Sequence, residues 1–189
     1  MSIGSRTNEA NFLRPVSPSQ KYLLTIVVIT SNIGFVSSKL AAEIGQSKPF
    51  VLLEEEALLN LMRTHEFIQQ RQTVFLKPFG LTATQYNILR ILRGAGQNGV
   101  TCSEAAERMI VADPDITRLL DRLETRKLIR RERGQEDRRV VLSYITAEGL
   151  ELLKSIDKPI SEFVRKLAGH IEPKKLQQFI ETLEALREP

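Results

Sequence analysis

The segment from Asp113 to Thr146 limits the chain's choices most. Within it an apolar repeat with helical spacing gives way, after one short turn, to two β-prone runs around a charged tip. Ile116, Leu119, Leu120 and Leu123 fall at i, i+3, i+4 and i+7, one face of a helix, and leave Thr117, Arg118, Asp121 and Arg122 outward. Asp113 reads as the N-cap and Pro114 as the first helical residue. A carboxylate accepts the free amides of a first turn, and the N–H that proline lacks is not needed there. The turn falls at Thr125-Arg126-Lys127. Leu128 and Ile129 then start a strand, and Gly134 supplies backbone freedom at a tip that runs to Arg139. In the returning strand Val140, Leu142 and Tyr144 alternate with Val141, Ser143 and Ile145.

A short helix feeding a basic hairpin is the plan of a winged helix. The helix fits a DNA major groove, and the hairpin tip reaches the adjacent minor groove. Between Arg118 and Arg139 stand nine Arg/Lys against five Asp/Glu, so the positive excess lies where that plan needs it. The formal net charge of +4 is by itself weak support, because only local distribution marks a nucleic-acid surface.

Composition excludes several classes. The single cysteine, Cys102, cannot form an internal disulfide and fits a reducing compartment. His65 and His170 lack the spacing of a zinc site, and no metal or cofactor is expected. No Gly-rich phosphate loop, metal helix or nucleophile elbow stands in the chain, so no enzyme is expected. With no tryptophan, stacking on single-stranded bases is not favoured.

With 189 residues and 42% hydrophobic content, the chain suits one domain plus an extension. Residues 1–50 read as the extension. Tyr22–Val36 is apolar but too short and too interrupted for a membrane span. Three readings stay open for it: an element packed on the body, a loose arm, or translated upstream sequence. Val51–Leu76 is predicted to be a long helix, with Leu58, Leu61, Ile68 and Phe75 as its stripe and Pro78 and Gly80 ending it. Thr82–Gln85 and Thr101–Glu104 are capping boxes that open the next two helices. The second of these, with Ala105, Ala106 and Met109 as its apolar side, makes a helix-turn-helix with the segment after Asp113. Thr146 caps a further helix with the stripe Leu150, Leu153, Ile156, Ile160, Phe163, Val164 and Leu167, which Pro159 is expected to kink or divide. A last helix starts at Pro173 and carries Leu176, Phe179, Ile180, Leu183 and Leu186.

This order of elements, together with Thr117–Thr146 (TRLLDRLETRKLIRRERGQEDRRVVLSYIT), resembles the MarR family of bacterial transcription regulators over about residues 51–189. The resemblance implies a mainly α (α+β) fold: a winged helix-turn-helix with a two-stranded β-wing at 81–146, and dimerisation helices at 51–77 and 147–189. It implies a cytoplasmic homodimer, without a membrane span, that binds double-stranded pseudo-palindromic DNA as a regulator. Ligand-responsive repression is the expected mode, with a small aromatic compound as effector. Carried over by residue, Asp113–Arg126 matches the recognition helix, offering Asp113, Pro114, Asp115, Thr117, Arg118 and Arg122 to DNA. In the wing, Asp137 and Arg139 match an Asp-x-Arg whose arginine enters the minor groove and whose aspartate helps hold it, while Arg133 and Arg138 touch phosphates. His65, Phe67 and Tyr86 are candidates for an effector pocket.

Two departures from the family pattern stand out. Lys127 replaces a glycine after the recognition helix, where a left-handed backbone costs lysine on the order of 1 kcal/mol. Ala112, Pro114 and Asp115 replace small hydroxylated residues; Asp115 either accepts from cytosine N4 or favours the helix N-terminus. Arg118 and Arg122 have an alternative in ion pairing with Asp121 and Glu124. Cys102 fits either a turn-filling residue or a reactive thiol. A winged-helix protein-interaction module without DNA binding is the rival to the whole reading.

Overall fold

The computed structural model describes residues 38–134, 137 and 139–188. Tyr22–Val36 and Arg138 lie outside them. The described part falls into two compact units that divide between Arg63 and Thr64. The first contains a short helix, α1 (Lys39–Ile44), inside the segment read as an extension. Ser38 caps it by accepting the Ala41 N–H, and Gly45 ends it in the left-handed region. Glu43 pairs with Arg63 at 3.7 Å.

The long helix, α2 (Leu53–Leu76), starts two residues later than expected and passes into a 3-10 turn, Lys77–Phe79. Gly80 then takes φ +66° and closes it, as the Pro-Gly signal required. Both capping boxes form. Thr82 and Gln85 exchange bonds of 3.1 and 3.2 Å to open α3 (Ala83–Ala95). Thr101 and Glu104 do the same for α4 (Cys102–Arg108). The Thr101 amide and hydroxyl hold the Glu104 carboxyl below the usual carboxylate range. In α4 only Ala105 is fully buried; Ala106, expected on the same side, is exposed.

The next helix, α5, spans Ile116–Thr125 and so begins later than the expected Asp113. Two aspartates compete for the cap. Asp113 Oδ1 closes a turn onto the Asp115 N–H at 2.9 Å, which leaves Asp115 to cap the helix by accepting the Arg118 N–H at 3.4 Å. At the other end Lys127 takes φ +60°, the only non-glycine at positive φ among the described residues.

The wing strands are β2 (Ile129–Arg133) and β3 (Val141–Ile145), antiparallel with Arg131 opposite Ser143 and Arg133 opposite Val141. A third strand was not anticipated. β1 (Val100–Thr101) pairs with the free edge of β3, giving the order β1-β3-β2. Its addition makes β3 central, and Ser143 is buried at its middle. Gly134 does not adopt a left-handed backbone. It is needed because a Cβ there would meet the Asp137 carbonyl oxygen at 2.8 Å.

Thr146 caps α6 (Ala147–Ala168) by accepting the Gly149 N–H at 3.1 Å. The helix is not divided at Pro159. Leu153 and Ile156 are fully buried on one side of the proline and Ile160 packs onto the same core beyond it. That packing carries the helix through, and the carbonyl of Ser155, which loses its helical partner, is on an exposed residue. The last helix, α7 (Pro173–Ala185), starts at the proline as expected.

The core of the second unit joins Leu76, Leu81, Ile88, Leu89 and Leu92 to Leu119, Leu120 and Leu123 of α5, Ile129 of β2 and Leu153 and Ile156 of α6. Apolar burial at about 25 cal/mol per Å² therefore ties α5 and the wing to one scaffold. Arg93 of α3 donates to both carboxylate oxygens of Asp157 on α6 at 3.0 Å.

Candidate nucleic-acid interface

Helix α5 turns Leu119, Leu120 and Leu123 inward and keeps Thr117, Arg118, Asp121 and Arg122 exposed. The acidic residues on it are not used as the sequence suggested. Asp121 and Glu124 both go to Arg131 of β2. Its Nε donates to Glu124 Oε2 at 2.8 Å, and its Nη2 donates to Glu124 Oε2 at 2.6 Å and to Asp121 Oδ1 at 2.5 Å. The Arg131 amide also donates to Glu124 Oε1 at 3.1 Å. Hydrogen bonding to Glu124 first, and to Asp121, raises the guanidinium pKa above its ordinary value. Such charge-assisted, forked bonds are the strong kind.

Arg131 was not singled out from the sequence, although a signal existed. It stands two residues after buried Ile129 and so shares its face of the strand. An arginine on an inward strand face needs carboxylates, and helix α5 supplies two. With those charges occupied, the cations left on the outward face are Arg118 and Arg122. Arg118 Nη1 pairs with Asp115 at 3.2 Å, whereas Arg122 makes no ion pair among the described residues. Thr117 Oγ1 lies 3.8 Å from Cys102 Sγ, so it faces the start of α4. Asp113 is half-buried, while Pro114 and Asp115 are exposed at the helix entry.

The wing carries a local device of its own. Asp137 Oδ1 accepts the Arg139 N–H at 2.8 Å, and the Val140 N–H donates to the Asp137 carbonyl at 3.1 Å. Asp137 thus holds the backbone of Arg139, whose side chain is exposed at the tip; Arg133 is exposed at the end of β2. On the other face of the hairpin the Arg130 guanidinium lies 4.3 Å from the centre of the Tyr144 ring and pairs with Glu132.

A cleft of about 140 Å³ lies beside Tyr86, with Gln69, Gln72, Thr84, Asn87 and Arg90 supplying polar groups and Ile110 and Val111 forming an apolar rim. Of the three pocket candidates only Tyr86 lines it. His65 is exposed and bonds to Gln69 at 3.2 Å; Phe67 is exposed beneath the Arg71 guanidinium at 5.1 Å. The polar lining was missed because glutamines and asparagines on a helix look like ordinary solvated positions. Asn87 Oδ1 accepts the Ile110 N–H at 2.9 Å and ties the cleft to the connection that enters α5. Among the described residues no group of three His, Cys, Asp or Glu is placed to hold a metal, and no helix is long and apolar enough to cross a membrane.

Comparison with known proteins gives a consistent result. A model of the MarR family matches residues 79–140. A solved MarR transcription factor from Planctomyces limnophilus is 38% identical; the alignment covers 72% of this chain and 99% of that one, with a TM-score of 0.56. MepR of S. aureus, solved as a complex with DNA, is 25% identical over 69% of this chain and 94% of its own, with a TM-score of 0.61. The transcriptional repressor MdtR of Bacillus subtilis is 35% identical over 97 residues, 51% of this chain and 61% of that protein. The chain belongs to the MarR family of winged-helix, DNA-binding transcription regulators.

Proposed function

We propose that the protein is a cytoplasmic, homodimeric repressor that binds a pseudo-palindromic operator and releases it on binding a small aromatic effector. The observation that carries the reading is the division of charge between α5 and the wing. Arg131 absorbs Asp121 and Glu124, which leaves Arg118 and Arg122 for the major groove, and Asp137 presents Arg139 for the minor groove. Thr117 and the entry residues Asp113, Pro114 and Asp115 flank the first turn, and Arg133 and Arg138 serve phosphates. A winged-helix interaction module needs none of this arrangement.

Dimerisation is supported by apolar side chains left outward on the helices at both ends of 51–189. Leu58, Met62 and Ile68 of α2, Leu150 and Val164 of α6, and Phe179 and Ile180 of α7 are each more than 40% exposed. Such stripes mark an interaction surface. Residues 51–77 and 147–189 would form it, with 81–146 as the reader and 1–50 as an extension. Two-fold pairing sets two recognition helices about one DNA turn apart, hence the pseudo-palindrome. The repressor role follows the name of the MdtR relative. Effector response rests on the cleft at Tyr86, tied through Asn87 and Ile110 to the entry of α5.

Selection of bound DNA from a random pool, followed by mobility-shift titration at several salt concentrations, tests this. A two-fold-symmetric consensus whose affinity falls steeply with salt is the expected result. Absence of any salt-dependent shift would favour the interaction module. Repeating the titration with aromatic acids tests effector release.

A further inference from the structure

The ion pair between Asp115 and Arg118 has little to do for stability. Arg118 Nη1 lies 3.2 Å from Asp115 Oδ2, but the two side chains are 70% and 52% exposed, and exposed pairs contribute little to folding. An aspartate is also a poor residue to place beside DNA, since it repels phosphate. Its position is nevertheless tightly specified. The Asp115 N–H donates to Asp113 Oδ1 at 2.9 Å, and Asp115 Oδ1 accepts the Arg118 N–H. One carboxylate oxygen therefore caps the helix while the other is committed to the arginine one turn on.

We propose that Asp115 is a specificity-determining residue for DNA recognition: it holds the Arg118 guanidinium for a guanine edge and withholds it from phosphate. This rests on the reading of α5 as the helix that enters the major groove. An arginine free to swing finds a phosphate at any sequence. One braced by a carboxylate keeps its fork for O6 and N7 of guanine, the base edge that presents two acceptors to it. Bracing also removes in advance part of the side-chain entropy lost on binding. The carboxylate supplies the repulsive element as well. At any site where Arg118 does not meet guanine, Asp115 stands near phosphate with nothing gained.

The test uses the full chain and the operator obtained by selection. Asp115→Asn keeps an N-cap of equal quality and removes only the charge. Wild-type protein is expected to prefer G at one position of each half-site, and Asp115→Asn to lose roughly tenfold of that preference. The variant's slope of log affinity against log salt should steepen by about 1.8 for the dimer, one added phosphate contact per recognition helix. In an Arg118→Ala background the same substitution should leave base preference unchanged. Asp115→Asn with unaltered base preference and slope, or with affinity lowered equally for every sequence, overturns the inference while the DNA-binding function stands. Failure of the wild-type protein to select any sequence overturns both.

Discussion

Glu124 and Arg131 face each other across the junction of recognition helix and wing, the carboxylate accepting both the Arg131 amide and two of its guanidinium N–H groups. Side chain and backbone are held by one partner, so helix and strand move as a unit. Glu124→Ala is expected to cost about 1–2 kcal/mol of stability, as Asp121 keeps part of the interaction. DNA affinity should fall further than stability accounts for, because the angle between helix and wing is released. Arg131→Lys keeps the charge but loses the fork, and less than half of the effect of Arg131→Ala should be recovered. Urea unfolding and mobility shift on the same variants check both statements. A Glu124→Ala protein with unchanged midpoint and affinity would show the junction to be held by packing alone.

Lys127 is strained where it stands. Its φ of +60° places a long side chain in the left-handed region, yet its amide and carbonyl are both engaged, with the Glu124 carbonyl at 2.8 Å and the Thr146 hydroxyl at 2.7 Å. Lys127→Gly should stabilise the protein by up to about 1 kcal/mol, net of the extra freedom glycine gains when unfolded. Thermal unfolding reads the effect; a lowered midpoint would mean that the lysine side chain has a compensating contact.

Gly149 shows the opposite case. It lies in the first turn of α6, where alanine would normally favour the helix, but a Cβ there would sit 2.2 Å from the Leu128 carbonyl oxygen and 2.8 Å from Ile145 Cγ1. Gly149→Ala is therefore expected to destabilise by about 1–3 kcal/mol and to loosen the base of the wing. Chemical denaturation gives the size, and protection of the β2 and β3 amides against hydrogen exchange reports the loosening.

The wing tip has a division of labour that mutation can separate. Arg139→Ala should lose on the order of 1–3 kcal/mol of binding to the selected operator, with folding unchanged. Asp137→Ala should lose less, because it frees the Arg139 amide without removing the charge. Equal affinities for wild type and Arg139→Ala in a titration would remove the wing from the interface.

Local physical chemistry made much of this protein legible from its residues. Capping boxes at Thr82 and Thr101, the Thr146 cap and the apolar spacing of α5 all depend on neighbours within one or two turns, and each forms as expected. The left-handed backbone at Lys127, implied by the glycine that the resembled family carries there, also forms. The order of elements then carried the family. What depended on distant partners was not legible. Nothing near Val100 indicated that it would extend the sheet, because its partner Ser143 is more than forty residues away. Pro159 does not divide α6, because packing of Leu153, Ile156 and Ile160 carries the helix through. Asp113 is the cap the sequence predicts, but its hydrogen bond to the Asp115 amide leaves Asp115 to cap the helix. For the acids of α5 the sequence offers Arg118 and Arg122, one turn away, only as alternative partners, and the fold brings Arg131 to them instead. Short-range order follows from backbone sterics and nearby hydrogen bonds, which a sequence displays. The choice among equally good charged partners follows from where the core places each strand, and only the tertiary structure decided it.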